Sequence, residues 1–373
     1  MSRHLIKIII SGGGTGGHVF PAISIANELK RMDGNIEILF VGALGRMEME
    51  RVPAAGYNIE GLPVRGFQRK QIYKNIMVLY YLMVSMIMAG RIIRKFRPDV
   101  VVGVGGYASG PVVRIASMRG IPVLIQEQNS YAGVTNRLLA KRADRICVAY
   151  EGMESYFPSG KLIITGNPVR QEIADISGKR EEALSWFGIE GNKKVILVLG
   201  GSLGAASLNN GVSRNIEKFR ENGIALIWQT GPRGFANSLE LLNKTGSKDI
   251  YVYEFISRMD LAYAISDVVI SRAGAGTISE LAVTGKASIL VPSPNVAEDH
   301  QTRNAMSLVN RNAALLVKDH ECDIKLVPLA ISLAGDPERR AGLEKNISMM
   351  AIPDSAARIA LEVMNMVRKK QNE

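Results

Sequence analysis

Two aliphatic runs end abruptly in glycines, and they restrict this chain more than any other feature. Ile6-Lys7-Ile8-Ile9-Ile10-Ser11 leads into Gly12-Gly13-Gly14-Thr15-Gly16-Gly17-His18, and Val195-Ile196-Leu197-Val198-Leu199 leads into Gly200-Gly201-Ser202-Leu203-Gly204-Ala205. Unbroken β-branched runs fit strands covered on both faces, which is the condition of a parallel sheet flanked by helices. The glycines let the backbone turn tightly and expose its N–H groups, and from Pro21 onward the first segment reads as a helix. Strand, glycine loop and helix N-terminus together form an anion site. Tight strand–helix packing alone is the plainer reading, but Thr15 and Ser202 add hydroxyl donors beside the loops. Gly12, Gly14 and Gly17 also fit the dinucleotide pattern. The second strand, about 36–41, however, ends at Gly42 rather than at an acid able to hold a ribose diol. The anion-binding reading is kept and the NAD reading set aside.

The alternation continues along all 373 residues, a length that suggests two domains with a core each. Further strands read near 99–104, 121–125, 145–148, 224–229, 250–254, 267–271 and 287–291. Asp99-Val100-Val101-Val102-Gly103 is echoed by Asp267-Val268-Val269-Ile270-Ser271, each followed by small residues. Two similar doubly wound domains facing each other explain the echo. Turn chemistry at Gly166-Asn167-Pro168-Val169-Arg170 marks the boundary, dividing the chain into 1–166 and 167–353. The tail, 354–370, reads as an amphipathic helix with Ala360, Val363, Met364 and Val367 on its apolar face. Cys147 and Cys322 have neither metal-site spacing nor a disulfide framework, and fit small core residues in a reducing cytoplasm. The first apolar run is too short for a signal peptide.

The net charge of +11 calls for an anionic partner. Between Gly61 and Pro98 there is no acid, while Arg65, Arg69, Lys70, Lys74, Arg91, Arg94, Lys95 and Arg97 all fall there. The stretch 76–90 between them is uncharged and includes Tyr80 and Tyr81. It is shorter than the roughly 20 apolar residues of a spanning helix. A helix of this kind either lies wholly buried or offers one face to an anionic membrane surface, and its composition favours the membrane. Nucleic acid is not expected, because the cations flank an apolar block instead of alternating with aromatics.

Several loops carry chemistry. Ser271-Arg272-Ala273-Gly274-Ala275-Gly276-Thr277-Ile278-Ser279-Glu280 is a strand-to-helix turn of small residues. Glu280 fits either a ribose acceptor or a first-turn helix acid. Gln301 and Asn304 follow Asp299 in a polar cluster suited to sugar hydroxyls, with N-capping by Asp299 as the simpler account. Gly105-Gly106-Tyr107-Ala108-Ser109-Gly110-Pro111 and Gln126-Glu127-Gln128-Asn129 follow buried strands, where loops line a binding crevice. No Asp-x-Asp pair, His/Cys cluster or Walker lysine occurs, so neither a metal nor another cofactor is expected.

Taken together, the motifs at 13–18, 105–111, 127–129, 166–170 and 200–205, with Ser279-Glu280 and His300-Gln301, resemble the MurG family of glycosyltransferases in order over nearly the whole chain. The resemblance implies a GT-B fold of two Rossmann-like parallel-sheet domains facing a cleft. It implies transfer of N-acetylglucosamine from UDP-N-acetylglucosamine to an undecaprenyl-linked muramoylpentapeptide in peptidoglycan synthesis, at the cytoplasmic face of the membrane. The N-terminal domain would take the lipid acceptor, the C-terminal domain the UDP sugar, and the last helix would cross back to the first domain. By motif, Thr15, Gly16 and Gly17 would approach the donor, Asn129 the sugar, and Arg170 and Ser202 the diphosphate. Ile256 would meet uracil through its backbone; Ala275, Gly276, Thr277, Ile278, Ser279 and Glu280 would hold the nucleoside, with Glu280 on the ribose; Gln301 would touch the sugar. His18 and Glu127 are the catalytic candidates. Gln126 stands where a histidine often precedes Glu-Gln-Asn in this family, which leaves His18 as the better base. A phosphate contact or a packing role also fits His18. Rivals with related folds are a UDP-sugar 2-epimerase or a transferase with another acceptor; a non-catalytic membrane scaffold leaves the loop motifs unexplained.

Overall fold

The computed structural model describes residues 5–66, 75–201, 203–296 and 299–372. It contains two compact units, one of 1–170 with 353–373 and one of 171–352.

The first unit holds β1 (Ile6–Ser11), β2 (Ile36–Ala43), β3 (Asn58–Leu62), β4 (Val100–Gly103), β5 (Val123–Glu127), β6 (Arg145–Val148) and β7 (Leu162–Ile164). They form one parallel sheet in the order β3-β2-β1-β4-β5-β6-β7. In the second unit β8 (Lys194–Leu199), β9 (Ile224–Gln229), β10 (Ile250–Tyr253), β11 (Val268–Ser271), β12 (Ser288–Leu290) and β13 (Leu315–Leu316) run parallel as β10-β9-β8-β11-β12-β13. Each order reverses direction beside its first strand, at β1/β4 and at β8/β11. Ligands of open α/β sheets bind at such switch points, beyond the carboxyl ends of the strands. The two glycine loops leave β1 and β8, so the sequence places them at both switch points.

The echo between Asp99 and Asp267 has a physical cause. Each aspartate precedes the fourth strand of its sheet and grips the first: Asp99 Oδ2 accepts the Lys7 N–H at 2.8 Å, and Asp267 Oδ2 accepts that of Val195 at 2.8 Å. Asp144 does the same for Val123 at the start of β5, again at 2.8 Å. In each case the aspartate's own N–H donates to the carbonyl of the residue it grips.

Five helices of the first unit matter below: α1 (Gly16–Met32), α2 (Glu48–Ala54), α3 (Asn75–Phe96), α4 (Ser109–Met118) and α5 (Val134–Leu139). The first begins five residues before the expected Pro21, because the Thr15 carbonyl accepts the N–H groups of His18 and Val19. Pro21 lies inside it and brings no N–H, so one intrahelical bond is missing near the loop.

The C-terminal helix, Ser355–Asn372, packs in the core of the first unit. Ile359, Ala360, Val363, Met364, Met366 and Val367 meet Val19, Ala22, Ile25, Ala26 and Leu29 of α1. At about 1.5–3 kcal/mol per fully buried large aliphatic, this face contributes on the order of 10 kcal/mol before entropy is counted. That is comparable to the whole net stability of a domain.

Helix α3 extends past the uncharged run, and Ile76–Phe96 is long and apolar enough, by length and composition alone, to cross a membrane. Its inner side buries Ser85, Ala89, Ile92 and Ile93, whereas Ile76 is 75% exposed, Leu79 60%, Met83 61% and Ile87 56%. Arg69, Lys70 and Lys74 lie outside the described residues. Cys147 and Cys322 are both buried, and burial pushes their thiols up to about 12 and about 11.

Candidate active site

The loop after β1 is held from three sides. Gly12 donates to Val41 O at 3.3 Å, Gly13 and Gly14 take φ of 144° and 92°, and Gly14 N–H donates to Glu48 Oε2 at 2.8 Å. The loop is therefore a less open anion cradle than the glycines suggest, since Glu48 already occupies one of its donors. Beyond it, Thr15 Oγ1 lies 3.3 Å from His18 Nδ1. The His18 ring rests on the loop after β4: a Cβ on Gly105 would lie 2.9 Å from His18 Nε2. Gly106 sits so close to the Gly13 carbonyl that any side chain there collides with it, and its φ of 82° favours glycine as well. The glycines of 105–106 thus let the β4 loop close on the β1 loop and bring His18 between them.

Glu127, the last residue of β5, is 2% exposed. Its Oε1 accepts from Asn129 N at 3.1 Å and from Asn129 Nδ2 at 3.2 Å; its Oε2 accepts from Gly133 N and Asn136 Nδ2, both at 2.9 Å. Four donors around one carboxylate fix the turn that carries Asn129. Asn136 also donates to Gln126 O at 3.1 Å, and Gln128 donates to Val104 O at 2.7 Å and to Gln126 Oε1. Gln126 in turn donates to Asn167 Oδ1 at 3.3 Å, so the loops after β4, β5 and β7 form one network. The guanidinium of Arg170 lies 5.4 Å above the Phe20 ring of α1.

In the second unit, Gly200 donates to Gln229 O at 3.0 Å, and Gly201 and Gly204 take φ of 78° and 80°. Ser202 lies outside the described residues. Gln229, at the end of β9, ties this loop to the next: its Oε1 accepts the Ile256 N–H at 3.0 Å and its Nε2 donates to Gly201 O at 3.4 Å. Ile256 is buried, and Gln229 already takes its N–H. After β11 the helix Ala275–Thr284 starts with Gly274 in extended conformation at its N-cap. Gly276 and Thr277 are half-buried in its first turn, while Ala275 and Ile278 point into the core. The Ser279 hydroxyl donates to Ala275 O at 3.0 Å, and Glu280 Oε2 accepts from the buried Tyr263 hydroxyl at 3.0 Å. That bond fixes the Glu280 carboxylate, a demand that a solvated helix acid does not make.

The helix His300–Val309 carries Gln301, whose Oε1 accepts the Ser293 N–H at 2.8 Å. Asn304 turns inward, fully buried, and donates to Ala273 O at 3.3 Å, so it braces the Ala275 turn instead of facing a sugar. Asp299 stands at the N-cap, where its side chain accepts the Thr302 hydroxyl at 2.6 Å.

Two bracing residues were not legible in the sequence. Arg272 bonds Asp319 Oδ1 at 2.5 Å, the Ser207 hydroxyl at 2.8 Å and Val291 O at 3.1 Å, gathering the segments after β8, β11, β12 and β13. Glu48 braces the first glycine loop. Gly14, Asp319 and Ser207 lie 34 to 65 positions from the residues they meet, at spacings no local pattern encodes.

Residues 8–148 match the glycosyltransferase family 28 N-terminal domain, and 195–359 match the glycosyltransferase family 28 C-terminal domain. A curated protein of Parabacteroides distasonis is 53% identical over 98% of this chain and 99% of its own length. One of Flavobacterium psychrophilum is 47% identical over 98% and 99%. Both are named UDP-N-acetylglucosamine–N-acetylmuramyl-(pentapeptide) pyrophosphoryl-undecaprenol N-acetylglucosamine transferase. Among solved structures, Acinetobacter baumannii MurG aligns with a TM-score of 0.74 at 25% identity, covering 96% of this chain and 99% of that one. The UDP-GlcNAc 2-epimerase of Neisseria meningitidis, at 17% identity and a TM-score of 0.66 over 96% of this chain and all of that one, shares the fold.

Proposed function

This chain belongs to glycosyltransferase family 28, and we propose that it is the N-acetylglucosamine transferase its curated relatives are named for. The reaction moves N-acetylglucosamine from UDP-N-acetylglucosamine to the undecaprenyl-linked muramoylpentapeptide. Relatives about half identical from end to end favour this reading over the epimerase, whose likeness is one of fold. The structural observation that carries it is the convergence, at the β1/β4 switch point, of Thr15, His18, Gly105 and the Glu127-braced turn of Asn129.

The acceptor's 4-hydroxyl attacks the anomeric carbon, the configuration inverts, and UDP leaves. His18 takes the hydroxyl proton, and Thr15 orients its ring through Nδ1. Asn129 meets the sugar, and Glu127 serves by holding Asn129 in place. Thr15, Gly16 and Gly17 face the donor. As positive charge grows on the sugar and negative charge on the diphosphate, Arg170, Ser202 and the N-terminus of the helix after Gly204 offset the latter. The Ile256 backbone reads the uracil; the turn Ala275, Gly276, Thr277, Ile278 and Ser279 holds the nucleoside; Glu280, aligned by Tyr263, accepts from the ribose; Gln301 touches the transferred sugar.

The acceptor's lipid tail stays in the bilayer, so the N-terminal unit works on the anionic cytoplasmic membrane surface as a peripheral protein. Support comes from the exposed stripe Ile76, Leu79, Met83 and Ile87. Beside it, a groove of about 390 Å³ between α3 and α4 is lined by Met86, Ile87 and Ile115 and by Arg91, Arg94 and Arg119. None of these arginines is paired with a described carboxylate. The deciding assay is UDP release from UDP-N-acetylglucosamine, with and without the lipid-linked acceptor, in EDTA. Acceptor-dependent release supports both substrates and a route independent of divalent metal. Release without acceptor points to an epimerase or hydrolase and overturns the reading.

A further inference from the structure

Glu48 is the first residue of α2 and is 1% exposed, an unusual place for a carboxylate with no basic partner among the described residues. Its Oε1 accepts the Ala43 N–H at 2.9 Å, at the end of β2, and its Oε2 accepts the Gly14 N–H at 2.8 Å, in the first glycine loop. Two glycines make room for it. A Cβ on Gly42 would lie 2.6 Å from Glu48 Cγ, and one on Gly13 would collide with the carboxylate itself. A buried charge that two backbone donors satisfy, in a space two glycines vacate, is aimed at the loop and not at the core.

From this geometry we propose that Glu48 is a positioning residue for the transfer reaction. Its carboxylate occupies from inside the donor that a bound phosphate takes in an open glycine loop, and so sets the loop before any substrate arrives. Gly14 immediately precedes Thr15, whose carbonyl receives the first N–H groups of α1 and whose hydroxyl meets His18 Nδ1. With the Gly14 N–H anchored, Thr15 is fixed and the His18 ring is held against Gly105. The proposal rests on the assignment of His18 as the base.

The test is Glu48→Gln in the full-length enzyme, with His18→Ala and the double variant completing a cycle. An amide keeps the shape but turns a donor toward one of the two N–H groups. The expected result is a kcat about 10- to 100-fold lower, with the KM for UDP-N-acetylglucosamine changed less than about twofold and faster amide exchange in 12–18. On the His18→Ala background, Glu48→Gln is expected to cost less than about twofold. Glu48→Asp, which keeps the charge but shortens the reach, should fall between wild type and Glu48→Gln, and it replaces Glu48→Gln in the cycle if the latter does not fold. Unchanged kcat with unchanged exchange overturns the proposal, as do fully additive losses in the double variant. If His18→Ala alone retains near-normal kcat, the base assignment fails; faster exchange in 12–18 of Glu48→Gln then still supports the loop-setting role.

Discussion

Replacing Arg91, Arg94 and Arg119 together by Gln separates the two forces by which the proposed membrane face of the N-terminal unit binds a bilayer. A cation close to an anionic bilayer contributes about 1 kcal/mol, so removing three costs about 3 kcal/mol, or roughly 10²-fold in partition. The apolar stripe acts independently. Ile76, Leu79, Met83 and Ile87 are between 56% and 75% exposed, so a bilayer has more than half of each side chain left to cover. At about 2 kcal/mol for complete burial, four such residues contribute about 5 kcal/mol, or three to four decades. Sedimentation with phosphatidylglycerol vesicles reads both. The arginine variant should bind about 10²-fold more weakly in dilute buffer, and the gap should close near 1 M salt, where the Debye length shrinks to about 3 Å. Changing the four apolar residues to Ser should give a larger loss that salt leaves untouched. A short-chain, water-soluble acceptor should be glycosylated equally by all three proteins. If the arginine variant partitions like wild type in dilute buffer, the groove does not meet the bilayer and the reasoning fails.

Other outcomes are equally specific. His18→Ala should lower kcat by about 10²–10⁴-fold, and a loss under threefold would remove it as the base. Glu127→Gln leaves the Asn129 turn with one carbonyl acceptor in place of two carboxylate oxygens; kcat should fall at least about tenfold, while affinity for UDP by calorimetry stays within about twofold. Glu280→Gln should raise the KM for UDP-N-acetylglucosamine and lower the melting temperature only slightly, and an unchanged KM would place the ribose elsewhere. The Arg258 guanidinium beside Asp260, helped by Lys179, holds that carboxyl down to about 2. Because the native value lies below the ordinary 3.8, the pair stabilises the fold above about pH 4 and loses that contribution as pH falls toward 2. Asp260→Asn should therefore flatten the acid limb of a melting-temperature profile between about pH 4 and 2, and an unaltered limb would contradict the assignment.

Strands that are central in their sheets were readable because burial on both faces leaves only one kind of sequence. β1, β4, β8 and β11 are runs of Val, Ile and Leu, and a parallel sheet accepts little else. β3, β7 and β13 escaped notice for the opposite reason. They sit at or beside sheet edges, β13 spans two residues, and β3 mixes Asn58, Glu60 and Gly61 into its pattern. Motif loops could be located, but what braces them could not: Asn304 faces inward although its neighbour Gln301 does not, and helical phase relative to a buried turn is a property of the folded unit. The onset of α1 at Gly16 was hidden because glycines weigh against helix, and only the Thr15 carbonyl reveals that the turn has begun.

The placement of the last helix has a consequence for the order in which the chain is made. The second unit is contiguous in sequence, whereas the first takes its final segment from residues 353–373. A ribosome therefore emits most of the N-terminal unit early, without the residues that close its core. Until Ile359, Val363 and Val367 emerge, the flank of α1 that carries Ile25 and Leu29 stays open to water. The unit translated second is the first to be complete, and the nascent N-terminal unit waits, a client for chaperones, while about 180 residues between Gln171 and Ile352 are synthesised.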